Sequence, residues 1–235
     1  MAGQPKMRWQ TATVVNVTVE TPTAKTFRLA LPEPSRHLAG QHYVVRLTAP
    51  DGYSATRSYS VASPPDGTNE IELTVERLAR GEVSTFLHDA VEVGDEIDVR
   101  GPIGYWFVWN GNTPALLVGG GSGVVPLMAM LRLARRNNTS ALLRLVVSVR
   151  RPGDLYYARE IEGPETTIVY TREAPSSVAR PPGRLTGADI PQPFGPDQTG
   201  YVCGSPAFAD AASTLLVDLG LPAPRIRVER FGPSG

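Results

Sequence analysis

Arg57, Tyr59 and Ser60 stand in a stretch, residues 53–62, that is rich in β-branched and aromatic residues and bounded by turn residues. This composition is typical of a β-strand. Successive side chains of a strand point to opposite faces, so Arg57 and Tyr59 share one face. Ser58 and Ser60 share the other. A fixed cation beside an aromatic ring and a hydroxyl group suits a phosphorylated, ring-bearing ligand. On these residues alone a plain surface strand is the better interpretation, because short motifs match by chance.

A glycine-rich turn follows an apolar run, residues 115–118, and precedes a helical pattern. Its members are Gly120, Gly121, Ser122 and Gly123. Glycines let the backbone approach a pyrophosphate closely, and the first amides of a helix attract its negative charge. The usual fingerprint, Gly-x-Gly-x-x-Gly, ends here in Pro126, which the first turn of a helix tolerates. The turn is therefore predicted to bind a dinucleotide, with a plain tight turn as the alternative.

Two arginines follow the next apolar run, residues 142–149. Ser148 lies near the end of that run, Arg150 and Arg151 come next, and the first acidic residue is Asp154. In dinucleotide-binding folds an acidic residue at this point binds the ribose 2′-hydroxyl of NAD, whereas arginine suits the 2′-phosphate of NADP. We therefore expect NADPH, with NADH as the alternative if the arginines only form a solvated basic corner.

Two further sites are open to more than one interpretation. Gly81 and Ser84 precede a short helical pattern and could bring donors to a second phosphate, although a helix cap is the simpler role for Ser84. Cys203 ends an apolar run and is followed by Gly204. A buried cysteine is usually a core residue, but at the carboxyl end of a parallel strand it would face a ligand crevice.

Composition excludes several classes of function. The 23 basic and 23 acidic residues cancel, which gives no reason to expect nucleic acid as a partner. One cysteine and three histidines without ligand spacing predict no metal site, disulfide or cysteine-ligated cluster in this chain. Residues 1–10 lack a secretory segment, and the apolar stretch 115–131 is broken by glycines and a proline, so we expect a cytoplasmic protein without a membrane span.

The first half of the chain shows the alternating, turn-rich pattern of an all-β unit. Strands are predicted at 11–20, 25–31, 41–48, 57–62, 69–78 and 96–101, with a short helix at 83–90. Six short strands and one helix predict a small antiparallel β-barrel.

The second half alternates apolar runs with helical patterns. The runs are 115–118, 142–149, 167–170, 201–203 and 226–228, and the helical patterns are 125–136, 155–161 and 207–219. This alternation predicts a doubly wound α/β domain, with a five-stranded parallel sheet covered on both faces. The proline-rich segment 171–196 is expected to be a long irregular connection. The predicted boundary divides the chain into residues 1–110 and 111–235.

Together, six motifs resemble those of the ferredoxin–NADP⁺ reductase superfamily, and within it the bacterial FAD-binding oxidoreductases. They are Arg57-Ser-Tyr-Ser60, Gly81-Glu-Val-Ser84, Gly101-Pro-Ile-Gly104, Gly119-Gly-Gly-Ser-Gly-Val-Val-Pro126, Tyr201-Val-Cys-Gly-Ser-Pro206 and Glu229-Arg-Phe-Gly-Pro233. The resemblance covers nearly the whole chain, and the order and spacing of the motifs make chance a poor explanation.

The resemblance implies roles for single residues. Arg57 would hold the flavin pyrophosphate, Tyr59 would pack against the ring system, and Ser60 would bond near its N5 atom. The phosphate site would be completed by Gly81, Val83 and Ser84. The turn from Gly120 to Gly123 would bind the NAD(P) pyrophosphate. Cys203 and Gly204 would border the nicotinamide, with Glu229 and Phe231 close by. Ser60, Cys203 and Glu229 are the implied catalytic residues.

The implied activity passes a hydride from NADPH or NADH to FAD, and then single electrons to an acceptor. Relatives with a fused ferredoxin domain carry a cysteine cluster, whereas this chain ends at Gly235 with one cysteine. The acceptor, a ferredoxin or an oxygenase component, is therefore expected on a separate protein. FMN in place of FAD, and whether Phe231 covers the flavin, stay open. So do two other functions: a flavin reductase or diaphorase, and a non-catalytic flavin-binding subunit.

Overall fold

Two β-sheets, one antiparallel and one parallel, follow each other along the chain in the computed structural model, which describes residues 8–232. Residues 1–7, on which the prediction about a secretory segment depends, lie outside the described residues, as does Pro233 of the last motif.

The first sheet consists of six antiparallel strands in the order β4-β3-β6-β1-β2-β5. The strands are β1 (Gln10–Thr21), β2 (Ala24–Ala30), β3 (His42–Thr48), β4 (Ser54–Ser60), β5 (Glu70–Glu76) and β6 (Glu96–Ile103). Val61, directly after β4, bridges to Leu73 of β5, so the two edges of the sheet meet. The alternating apolar side chains of these strands fill one enclosed core. The predicted antiparallel barrel is confirmed.

Strand β4 begins three residues earlier than its sequence pattern predicts. Its first residues, Ser54 to Thr56, are short and two of the three are polar, and they pair with β3 from Thr48 to Arg46. Backbone hydrogen bonds hold this part of the strand whatever the polarity of its side chains. The short helix of this half, α1 (Glu82–Asp89), lies one residue from its predicted position.

The second sheet has five parallel strands in the order β11-β10-β7-β8-β9. They are β7 (Ala115–Gly120), β8 (Leu143–Val149), β9 (Thr166–Tyr170), β10 (Thr199–Gly204) and β11 (Ile226–Arg230). Helix α2 (Val124–Arg136) packs on one face, with Leu117 and Leu145, and helix α3 (Pro206–Asp218) packs on the other, with Leu116 and Val146. The doubly wound prediction is confirmed. The strand order reverses between β7 and β10, where ligands bind in folds of this kind.

The helix predicted at 155–161 is wrong. The segment is a series of turns, and Tyr157 has a positive backbone angle, φ 57°. Leu155, Tyr156 and Tyr157 are consecutive and all buried, which a helix with a single apolar face cannot achieve. Arg135 of α2 holds the end of the segment by hydrogen bonds to the carbonyl oxygens of Glu160 and Glu162.

The connection between the sheets, residues 104–114, packs into the second domain. Phe107 and Trp109 are buried in the same core cluster as α2. The hydroxyl of Tyr201 donates to the carbonyl oxygen of Val108 at 2.9 Å. The boundary at residue 110 falls within this connection and stays a prediction. In the part of the chain that the structure describes, no helix is long and apolar enough to cross a membrane.

Candidate functional site

Strand β4 presents Arg57 and Tyr59 on one half-buried face, while Ser58 is exposed on the other. Across the strand pair, Tyr59 lies opposite Tyr43 of β3. Ser60 ends the strand and is 7% exposed. The alternation of the strand therefore aims the cation and the aromatic ring in the same direction.

Arg57 keeps its charge free for a ligand. Its guanidinium donates to the carbonyl oxygen of Thr56 at 2.7 Å and forms no ion pair with a carboxylate among residues 8–232. Burial raises the pKa of Tyr59 to about 12, although the nearby Arg57 opposes the shift. The hydroxyl of Tyr59 therefore stays protonated at neutral pH. An unpaired guanidinium is a strong donor to phosphate oxygens.

The start of α1 offers backbone amides rather than a side chain. The hydroxyl of Ser84 accepts from the Leu78 amide at 3.2 Å and donates to the Gly81 carbonyl oxygen at 3.1 Å. Gly81, not Ser84, is the N-cap residue, so the expected helix-cap role of Ser84 is wrong. Val83 is fully buried in the barrel core. The first amides of a helix have no partner within it, and they remain available to an anion.

Helix α1 lies against β4, so its amides and Arg57 belong to one region of the barrel. The hydroxyl of Tyr53 donates to a carboxylate oxygen of Glu82 at 3.2 Å, which joins the start of β4 to the start of α1. This arrangement fits the pyrophosphate of a flavin dinucleotide on two counts, a free guanidinium and free helix amides.

The glycine-rich turn is shaped by its contact with β10. A Cβ atom on Gly123 would lie 2.2 Å from the carbonyl oxygen of Cys203, so only glycine fits there. Gly121 has φ 56° and a hypothetical Cβ that meets nothing within 4 Å, which leaves that side of the turn open. The open turn, at the start of α2 and at the reversal of strand order, fits a second pyrophosphate.

Ser148 and the two arginines lie at the end of β8, next to this turn. Ser148 is paired in register with Gly120 and is buried. Arg150 and Arg151 are exposed. Arg151 faces Glu173 at 3.7 Å, whereas the guanidinium of Arg150 has no carboxylate partner in the described range 8–232.

The ends of β10 and β11 bring three predicted residues together. Cys203 is fully buried and paired in register with Glu229. Burial raises the pKa of the Cys203 thiol, with a smaller contribution from Glu229, so the thiol stays neutral. Burial also raises the pKa of Glu229 to about 7. The Phe231 amide donates to the Gly204 carbonyl oxygen at 2.8 Å, which extends the strand pairing.

These strand ends face the barrel. Cys203 and Ala62 belong to one apolar cluster that crosses the domain boundary, and the partly buried Phe231 packs against it. Ala62 lies two residues beyond Ser60. The residues after β4 and the end of β10 thus belong to one continuous apolar cluster, while Arg150 and Arg151 lie apart, at the end of β8.

Sequence reasoning missed Phe208 and Tyr43, whose rings pack against glycines of this site. The Phe208 ring lies on Gly120 and Gly204, because a Cβ on either would lie 2.6 Å from a ring atom. A Cβ on Gly101 would lie 2.7 Å from the ring of Tyr43. These glycines were interpreted as ligand or turn positions, and their packing partners are distant in sequence. Among residues 8–232, no group of three or more His, Cys, Asp or Glu side chains could hold a metal ion.

A barrel with an arginine that has no carboxylate partner, set against a doubly wound domain with an open glycine turn, is the arrangement expected of a two-domain flavin- and nicotinamide-dependent oxidoreductase. The comparisons with known proteins agree. The family model described as oxidoreductase FAD-binding domain matches residues 11–108, and that described as oxidoreductase NAD-binding domain matches residues 117–214.

Similar proteins include reductases of oxygenase systems. The chain is 31% identical over 241 residues to the reductase subunit of an aromatic O-demethylase from Amycolatopsis sp., covering 97% of this chain and 71% of that protein. It is 29% identical over 233 residues to the ferredoxin–NAD(P)⁺ reductase component of the naphthalene 1,2-dioxygenase/salicylate 5-hydroxylase systems of Ralstonia sp., covering 95% and 69%.

A solved structure shows the same fold. The FAD/NAD-binding domain of nitric oxide dioxygenase from Vibrio cholerae has a TM-score of 0.86 at 25% identity, with 95% of this chain and 99% of that chain covered. The chain belongs to the ferredoxin–NADP⁺ reductase superfamily. It is an FAD-dependent NAD(P)H oxidoreductase.

Proposed function

We propose that this chain is the reductase of an oxygenase system and delivers electrons from NADPH, through FAD, to a separate ferredoxin or oxygenase component. The observation that carries the proposal is the contact between the two domains: Ala62, which follows the flavin strand, shares an apolar cluster with Cys203 of β10 and accepts a hydrogen bond from Arg132 of α2. The names of the similar proteins support the type of acceptor. A cytoplasmic location fits the use of a reduced nicotinamide dinucleotide.

The residues of the barrel bind and orient the flavin. Arg57 and the first amides of α1 hold its pyrophosphate, Tyr59 supplies a flat apolar surface, and Ser60 supplies a hydroxyl donor. A flavin held by these residues would supply two-electron acceptance from the nicotinamide and one-electron release to an acceptor. The protein contributes position and electrostatics, and no general base is required for this reaction.

The residues of the second domain bind and orient the dinucleotide. The turn from Gly120 to Gly123 holds its pyrophosphate, and Cys203 and Gly204 border the nicotinamide. The carboxyl group of Glu229 has no hydrogen-bond partner within residues 8–232, so it is free to hold or give up a proton near neutral pH.

Arg150 carries the proposed preference for NADPH, because its guanidinium is exposed and unpaired beside the dinucleotide turn. Arg150→Ala should weaken NADPH binding by roughly tenfold to a hundredfold, the loss of one charge-assisted hydrogen bond of about 1.5–3 kcal/mol. NADH binding should stay within about twofold. Arg144→Ala is the matched control, because Arg144 is an exposed arginine of β8, the strand that Arg150 follows. Equal losses for the two dinucleotides would remove the argument for the 2′-phosphate.

The proposed role is tested by flavin retention and by electron delivery. The purified protein should keep FAD through gel filtration and should reduce a one-electron acceptor protein in the presence of NADPH. A protein that loses its flavin and reduces free FAD or FMN instead would be a flavin reductase. A protein whose bound flavin stays oxidised with both dinucleotides would be a non-catalytic subunit.

A further inference from the structure

Tyr157 crosses from the second domain into the barrel. Its side chain is 2% exposed, and its hydroxyl oxygen shares a hydrogen bond with the hydroxyl oxygen of Thr74 on β5 at 2.6 Å. Its backbone amide donates to a carboxylate oxygen of Glu20 on β1 at 3.0 Å. One residue of the turn 155–161 thus holds two barrel strands at once.

The backbone of Tyr157 is strained, with φ 57° in a region that bulky residues rarely adopt. Such a conformation costs free energy and persists only where the surrounding contacts fix it. Its amide and its hydroxyl both bond to the barrel, while its carbonyl oxygen accepts from the amides of Glu160 and Ile161 in its own turn. These contacts fix the strained conformation. The turn is built to present this tyrosine to β1 and β5.

The barrel residues that contact Tyr157 are also hydrogen-bonded to one another through Thr26. The hydroxyl of Thr26 donates to Glu20 at 2.8 Å and lies 2.8 Å from the hydroxyl oxygen of Thr74. Thr26 and Thr74 are each 5% exposed. Buried polar groups that are fully satisfied specify one arrangement of their elements.

Arg132 makes a second bridge beside the first. Its guanidinium donates to Glu72 of β5 at 2.7 Å and to the Ala62 carbonyl oxygen at 2.9 Å, and it pairs with Glu160. It also lies 5.2 Å from the centre of the Tyr157 ring. Arg132 is on α2, the helix that begins at the glycine-rich turn, and Ala62 follows the strand that carries Tyr59 and Ser60. The bridge therefore links the helix that begins at the dinucleotide turn to the segment that follows the flavin strand.

We propose that Tyr157 and Arg132 are positioning residues that fix one orientation of the two domains and thereby set the approach of the nicotinamide to the flavin. The inference rests on the proposed function, since it concerns the step between the two ligands. Neither residue belongs to the sites assigned to the ligands themselves. A misplacement of about 1 Å between reacting groups can lower a rate by about a hundredfold.

The test compares Tyr157→Phe with Tyr156→Phe in the protein with its bound FAD. Tyr156 is a matched control, because it is buried in the same turn but its hydroxyl has no hydrogen-bond partner in the described structure. Rapid mixing with NADPH, without oxygen, gives the limiting rate of flavin bleaching. Tyr157→Phe should lower this rate by about tenfold, with unchanged flavin content and NADPH affinity. With NADPH deuterated at the transferred position, the isotope effect should become larger. Tyr156→Phe should leave all four quantities unchanged.

A second readout does not depend on activity. Hydrogen exchange should become faster in residues 155–161 and in β5 of Tyr157→Phe, while β8 and β9 remain protected. Thr74→Val should reproduce the rate loss, and the double variant should add no further loss, because both substitutions break the same contact. Arg132→Gln should lower the rate at least as much as Tyr157→Phe.

Two results would overturn the inference: a bleaching rate unchanged in both Tyr157→Phe and Arg132→Gln, or a loss that follows flavin content alone. Failure of the proposed function is distinguishable, because the wild type itself would then either lose its flavin on purification or keep a flavin that NADPH does not bleach.

Discussion

Glu229→Gln tests the electrostatics of the boundary between the two domains. Burial raises the pKa of Glu229 from 4.5 to about 7, which means that the fold favours the neutral carboxyl group. At 1.36 kcal/mol per unit, the shift corresponds to at most about 3 kcal/mol of stability. At a pH between these two pKa values, the Glu229 carboxyl group has lost its proton in the unfolded chain but keeps it in the folded chain. The free energy of unfolding therefore falls as pH rises from 4.5 to about 7 and is constant above it.

Glutamine keeps the shape of the side chain and removes the ionisation. The variant should be more stable than the wild type by about 2–3 kcal/mol at about pH 8, and by less than about 1 kcal/mol at about pH 5. Chemical denaturation at a series of pH values measures both differences. Glu33→Gln, at an exposed position, is the control and should show no such dependence. A difference between wild type and Glu229→Gln that stays constant over this range would refute the reasoning.

Two further substitutions test the ligand sites. Arg57→Ala should weaken FAD binding by about tenfold to a hundredfold, the equivalent of one charge-assisted hydrogen bond, as measured by titration of the flavin-free protein. The control is Arg225→Ala, at an exposed arginine directly before β11, which should leave FAD affinity unchanged. Equal losses of FAD affinity in the two variants would contradict the proposed role of Arg57. Gly123→Ala should lower stability by about 1–3 kcal/mol or more, because its Cβ would lie 2.2 Å from the Cys203 carbonyl oxygen. Thermal denaturation measures the loss, and Gly153→Ala is the control, because a Cβ there meets nothing within 4 Å; its stability should stay within about 0.5 kcal/mol of the wild type. Similar losses of stability in the two variants would show that the glycine-rich turn can shift to make room for a Cβ.

The sequence predicts the fold well because its signals are local. Alternation along β1 and β5 and the apolar runs of β7 and β8 each follow from burial of one face or of both. The segment 155–161 was predicted wrongly as a helix, because three consecutive apolar residues are buried against partners on different elements. No spacing rule describes a tyrosine that is held by Glu20 and Thr74 from another domain.

In the candidate site, too, the features that follow from local residue patterns were predicted and those that depend on distant contacts were not. The residue types that suit phosphate and a flat ring stand in one motif, and the structure aims Arg57 and Tyr59 together. The Ser84 hydroxyl is used within its own turn, by hydrogen bonds with Leu78 and Gly81 that no spacing rule specifies. The packing of Phe208 on Gly120 and Gly204 depends on contacts between separate elements. The roles of the single ligand-binding residues stay predictions until the ligands are measured.

The central claim is that FAD bound to the barrel receives electrons from a nicotinamide dinucleotide bound to the second domain. Its most direct test is the visible spectrum of the purified protein, recorded without oxygen before and after one equivalent of NADPH. The account predicts a bound flavin whose absorbance bleaches, faster with NADPH than with NADH. A colourless protein that takes up no FAD when it is offered, or a bound flavin that neither dinucleotide bleaches, would contradict it.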